Sequence, residues 1–316
     1  MYEPVNNDAP DSKNLTISPD LQRLKRFRES NWKRIRREHE TRIDHLLGDY
    51  VERRCRHEKN PILDFLFEYY SFRPAMLRRW VPGTGVFLEG SDTLEFTDHE
   101  AFEIVDGGMI VNPCSFPEHR VQAVRWILEL LKATATRSPR LGCYGLHEWA
   151  MVYRTKDVRH PYLPMRLTPG EIADFVDSQQ IVCSHFDAYR FFTKPARPLN
   201  HLRPGRNDRM EFEQPGCVHV TMDLYKWAYK IYPWISSELI ADAFELAIRA
   251  RTIDMQASPY DLHEYGLPPI KIETSTGRLE YSNEQKKLAA MAEPVRKRLI
   301  AAYEELLGYF EIENED

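Results

Sequence analysis

Histidines, cysteines and carboxylates gather in three short stretches between Gly142 and Leu262. The first is Gly145-Leu146-His147-Glu148-Trp149. The second runs Cys183-Ser184-His185-Phe186-Asp187, with Tyr189 and Arg190 close behind. The third opens Cys217-Val218-His219 and continues to Asp223, Tyr225, Lys226 and Trp227. In each, a cysteine stands two or four residues before the histidine and a carboxylate one to four residues after it.

Several chemistries can be built from such a set. Rings close to acids suit a flat, cationic heterocycle, since a cation over an aromatic face gains about 0.5–2 kcal/mol. Tyr189, Tyr225 and Trp227 are the stacking candidates. A nearby carboxylate can orient water and stabilise a positively charged sugar, the requirement for breaking an N-glycosidic bond. Asp187 and Asp223 are the first candidates for that acid and Glu148 the next. The competing chemistry is a metal centre: His185 and Asp187 form an H-x-D pair, which His147 or His219 would complete. Cys183 or Cys217, two residues before a histidine, could also serve as a nucleophile if both lie on one strand face. The bland alternative is that these rings and histidines are packed core. Next to them, Lys194–Arg209 holds three prolines, a glycine and four arginines. It reads as a stiff basic loop in which Arg197, Arg203 and Arg206 can clamp phosphates, or as a solvated loop with local ion pairs. Phosphate-loop, dinucleotide and hydrolase-elbow motifs are missing, and no cofactor is called for.

Elements of ordinary kinds must position these groups. A stripe of Val121, Val124, Leu128 and Leu131 predicts a core-facing helix after Pro117. A glycine turn leads into a helix at 141–154, and two more helices are expected near 222–232 and 236–251. The last helix, near 282–307, carries Leu288, Met291, Val295, Leu299, Ala302 and Leu306. Met165–Leu167 and Ile181–Phe186 read as buried strands, and 86–89 with 94–96 as a weak hairpin. The class is α+β, predominantly helical with a few short strands. The expected domains are a disordered 1–18, a basic helical arm at 19–60 and a single globular catalytic domain at 61–316.

Composition bounds the rest. The 316 residues are 42% apolar and 29% charged, with net charge −5, ordinary for a globular chain. No run nears the roughly 18 apolar residues of a membrane span, no secretory signal opens the chain, and five cysteines without a CxxC pair do not make a disulfide scaffold. A cytoplasmic, membrane-free protein is expected. Between Leu21 and Asn60 thirteen Lys/Arg face seven acids, a net +6, which can follow a phosphate backbone or pair internally along a helix.

The segments 147–154 (His-Glu-Trp-Ala-Met-Val-Tyr-Arg), 184–192 (Ser-His-Phe-Asp-Ala-Tyr-Arg-Phe-Phe) and 222–230 (Met-Asp-Leu-Tyr-Lys-Trp-Ala-Tyr-Lys) resemble a family of bacterial proteins labelled 3-methyladenine DNA glycosylase. Segments 64–74 and 254–262 resemble it too, so the likeness spans nearly the whole chain from about residue 40. It implies a DNA-repair enzyme that flips a damaged base out of double-stranded DNA and hydrolyses the bond of an alkylated purine. The helix-hairpin-helix of many such enzymes is absent, so the catalytic carboxylate is read from this chain alone. Two other functions fit: a metal-dependent enzyme on a small molecule, using His147, His185, Asp187 and His219, and a non-catalytic binding module using the basic arm.

Overall fold

Strand-forming residues are few, and those that pair lie in the first third of the chain. The computed structural model describes residues 21–310 apart from 91, 92, 94, 95, 97 and 98. Strands β1 (Lys25–Phe27), β2 (Val86–Glu89), β3 (Phe102–Val105) and β4 (Gly108–Val111) make one sheet in the order β1-β2-β4-β3. β1 runs parallel to β2, and the other pairs are antiparallel. Helices α1 (Glu29–Leu47), α2 (Tyr50–Cys55), α3 (Leu63–Tyr69) and α4 (Pro74–Arg78) lie between β1 and β2 in sequence. They are followed by α5 (Val121–Ala135), α6 (Leu146–Val152), α7 (Pro169–Asp177), α8 (Phe186–Tyr189) and α9 (Arg209–Phe212). The last three are α10 (Val218–Lys230), α11 (Ser237–Gln256) and α12 (Ser275–Gly308). The chain is α+β and mostly helical. Among the described residues no helix is long and apolar enough to cross a membrane.

The predicted stripes are the buried faces. Val121, Val124, Leu128 and Leu131 of α5 enter the main core, as do Leu288, Val295, Leu299 and Leu306 of α12. There they meet α10 and α11, which pack on each other and on α12. Met291, by contrast, is 39% exposed. A second, smaller core of Trp32, Trp80, Leu88, Phe96 and Met109 joins α1 to the sheet.

The basic segment, expected as a helical arm, is a strand and two helices built into the body. Trp32, Ile43 and Leu47 of α1 are buried, and Arg42 bridges to Asp242 and Glu245 of α11 at 2.7 and 2.9 Å. Its charges are largely spent on pairs such as Lys33–Glu29 and Arg34–Glu38. The disorder expected for 1–18 and the first two residues of the arm, 19 and 20, lie outside the described residues. β2 pairs with β1 and β4, and Leu94 and Glu95 of the expected hairpin lie outside the described residues. Nor are 165–167 and 181–186 strands: each makes one isolated bridge, Met165 to Tyr260 and Ile181 to Asn200. At the second, the Asn200 carboxamide accepts from Cys183 N–H at 2.8 Å and donates to its carbonyl at 3.0 Å. One side chain thus satisfies the backbone groups a neighbouring strand would have taken.

Candidate active site

The apolar stripe of α11 ends in charge. Ala243, Ala247 and Ala250 are buried, and the stripe runs on to Arg251 and Asp254, also 1% and 0% exposed. A buried charge persists only if paired and hydrogen-bonded, and α6 supplies the partners. Arg251 donates through Nη1 to Glu148 Oε1 at 2.6 Å and to Asp254 Oδ2 at 2.8 Å, and through Nη2 to His160 Nε2 at 3.2 Å. Asp254 Oδ1 lies 2.5 Å from His147 Nε2. α6 enters through Tyr144 and Gly145, both left-handed at φ 47° and 73°. A side chain at 145 would also meet Ala257 Cβ at 3.2 Å, so glycine lets α6 close on α11.

A second network lies alongside. Asp223, on α10 and 0% exposed, accepts from Tyr70 Oη at 3.1 Å and Lys226 Nζ at 3.0 Å, with His185 Nε2 at 3.4 Å. Arg209 on α9 ties Asp187, Glu213 and Asp223 together. His219 joins the two networks: its ring stacks on His185 at 5.2 Å between centroids and meets His147 edge-on at 4.5 Å.

Each network sets its own protonation. Burial penalises the Glu148 carboxylate, but Arg251, with His147 and His160, outweighs it and holds the group at about 2. Burial is likewise overcome at Asp187 and Asp223, which Arg209 and Lys226 keep low. Burial would depress His147, yet Asp254 raises it well above 6.5. His219 has no such carboxylate contact, so burial and the neighbouring His147 push it well below 6.5, leaving a neutral ring. His160, buried beside Arg251, falls to about 4.

Acid should therefore weaken the fold in stages. The unfolded chain takes up the His160 proton from pH 6.5 while the native ring resists until about 4, so stability drops as pH falls through that window. Glu148 follows: its stabilisation is complete above 4.5 and lost as pH falls towards about 2, worth about 3 kcal/mol. His147 acts oppositely, its contribution being full below 6.5 and fading as pH rises through its elevated value. Urea midpoints at about pH 7, 5 and 3 should decline steadily; a flat profile would disprove the pairing.

A surface cleft of about 540 Å³ approaches these networks. Phe65, Tyr69 and Tyr162 give it rings, Lys59, Arg159 and Arg190 positive charge, and Asp64 and Glu68 negative charge. Phe65 and Tyr69 lie parallel, 5.2 Å apart. Phe65, Tyr69 and Arg159 also wall an inner hollow of about 10 Å³ bounded by Glu148, Asp187, Phe191 and His219, room for about one water molecule. Two buried atoms of that lining have no hydrogen-bond partner, Glu148 Oε2 and His219 Nδ1.

The sequence candidates are thus sorted by placement. Glu148 and Asp187 reach the hollow. Asp223 does not: it is wholly enclosed and saturated by partners, so Asp223→Asn removes a structural charge. Tyr225 and Trp227 are no stacking faces. Tyr225 is enclosed by Phe244, Tyr70 and Tyr229, and Trp227 packs edge-on against Trp126 and is 6% exposed. Tyr189 is half-buried against Phe192. Arg203 and Arg206 are exposed and outside the cleft lining, while Arg197 donates to the Arg190 carbonyl at 3.1 Å, beside the rim. Cys217 caps α10 and His219 lies in its first turn, not on a strand. Residues unseen from sequence are Phe65, Tyr69, Arg159, Arg209 and Arg251. For Arg251 the signal was present: an alanine stripe at helical spacing continuing into Arg and Asp.

The metal alternative meets the same geometry. His147, His219 and Asp254, and separately His185, Asp187 and Asp223, bring ligand atoms within 4.8 Å of one another. Donors bound to one ion at about 2.0–2.2 Å stand roughly 3 Å apart, whereas His147 and Asp254 are in direct hydrogen-bond contact. In the second set Arg209 and Lys226 already sit on both carboxylates, so a divalent ion would meet two positive charges. Both sets fit proton-mediated pairing better than coordination. In comparisons with known proteins, no family model, curated protein or solved structure matches the chain.

Proposed function

We propose that the chain is a DNA N-glycosylase that hydrolyses the glycosidic bond of an alkylated purine held in the cleft. The observation carrying this reading is the hollow lined by Glu148 and His219 beside aromatic rings, two residues whose Oε2 and Nδ1 are buried without hydrogen-bond partners. The cleft rings offer faces on which a flat base can stack, and Asp64 and Glu68 favour one that carries positive charge. A methylated purine is already cationic and leaves without acid help. The C1′–N bond breaks, its electron pair neutralises the departing base, and positive charge builds on the sugar. The ionised Glu148 stabilises that charge. At about 2 it is too weak a base to take the proton itself, so it orients the water. Neutral His219 accepts the proton as the water oxygen bonds to C1′. Asp187 adds a second negative charge at the edge of the hollow.

Lys59, Arg159 and Arg190 at the rim would hold the flanking phosphates. Arg159→Ala and Arg190→Ala should each weaken binding to methylated duplex and lower the salt slope by about 1. Arg203→Ala and Arg206→Ala should leave both unchanged, as anisotropy across a salt series would register. Equal losses from the second pair would move the DNA track onto the 197–206 loop.

The test of the activity is incubation with methylated duplex DNA, chromatography of freed bases and elemental analysis of the same sample. Release of a methylated purine supports the reading. No release, with about one equivalent of zinc or iron, would replace it with a metal-dependent enzyme acting on a small molecule.

A further inference from the structure

His147 and Glu148 are neighbours on α6 and face different cavities. Glu148 borders the hollow; His147 borders a separate pocket of about 280 Å³ with Cys143, Cys183, Cys217, Tyr281 and Gln285. Cys143 precedes α6, and the left-handed Tyr144 and Gly145 turn the chain so that Sγ lies 3.6 Å from His147 Nδ1. A non-glycine residue at φ 47° is an uncommon backbone state that the surroundings must sustain. The opposite ring nitrogen is held by Asp254 at 2.5 Å. Thiol, imidazole and carboxylate thus stand in line, the arrangement that activates a cysteine nucleophile. The pocket also holds two buried polar atoms without partners, Tyr281 Oη and Gln285 Oε1, in residues 0% and 2% exposed. The Gln285 amide nitrogen is fixed to the Gly216 carbonyl at 2.6 Å, so its oxygen is held in place as an acceptor. Arg140 is the one Lys, Arg, Asp or Glu in the lining.

We propose that Cys143, His147 and Asp254 form a nucleophilic triad serving this pocket, for acyl transfer from a short ester or thioester that is uncharged or carries one negative charge. The Cys143 thiolate attacks the carbonyl carbon and an S–C bond forms. The bond to the leaving oxygen or sulfur breaks, and that atom takes the proton carried by His147. Water then cleaves the acyl-enzyme, returning a proton to His147 and releasing the acid. Asp254 acts through His147 and is a positioning residue. The Cys183 thiol and His147 both favour the Cys143 thiolate against the effect of burial. The inference stands apart from the glycosidic reading, which does not use the thiol.

The experiment uses the full chain and p-nitrophenyl acetate. The expected result is a burst of about one nitrophenolate per chain, with peptide mapping placing the acetyl group on Cys143 and not on the exposed Cys55. Cys143→Ser should abolish the burst while Cys183→Ser retains it. Mapping of the unaltered protein decides the matter even if a variant fails to fold. Absence of a burst, acetylation of Cys55 or Cys183 instead, or a full burst from Cys143→Ser would overturn the proposal.

Discussion

Glu148→Gln is expected to cut release of methylated purine from alkylated duplex DNA by about 10²–10³-fold, the usual loss when one preorganised electrostatic group is removed from a transition state. The substitution keeps the shape of the side chain and an oxygen for Arg251 Nη1 but deletes the charge facing the sugar. It also leaves Arg251 with one anionic partner, Asp254, so a cost of about 1–3 kcal/mol in stability is expected. Circular dichroism melts run beside the release assay separate the two effects: the variant should stay folded at the assay temperature and still fail. Normal release by a folded Glu148→Gln protein would remove this residue from the chemistry and pass the role to Asp187.

Removal of Arg251 should give the largest loss of stability. Its guanidinium is 1% exposed and neutralises Glu148 and Asp254, while His147 supplies the second positive charge. Arg251→Met leaves one uncompensated buried negative charge, and breaking such a pair costs about 3–5 kcal/mol, a fall in melting temperature of roughly 5–15 °C. Phe65 would also lose the guanidinium packed 4.2 Å from its ring centre, loosening one wall of the cleft. The double variant Arg251→Met, Glu148→Gln restores charge balance and should be more stable than Arg251→Met alone. Such non-additivity marks coupled neighbours. Equal melting of the single and double variants would show that the network is not held by charge.

The two predictions depend on residues that the sequence exposes unequally. Glu148 was visible as an acid among rings, yet ranked below Asp187 and Asp223 because nothing local distinguishes a free carboxylate from a satisfied one. Asp223 has the same sequence surroundings of rings and a histidine, but Tyr70, Lys226 and His185 occupy its oxygens. Tyr225 and Trp227 were attractive as rings and turned out to face the helical core. The rings that line the cleft, Phe65 and Tyr69, come from α3, far upstream of the chemical stretches.

Helices α5, α6, α10, α11 and α12, the stripes on α5 and α12, and the gathering of reactive side chains between Gly142 and Leu262 were legible in the chain. They follow from periodic burial, a property of neighbours three and four residues apart. Which buried acid neutralises which base was not legible. Glu148 finds Arg251 across 103 residues and His147 finds Asp254 across 107. Those pairings arise when α6 closes on α11, and they decide which oxygen is left over to act.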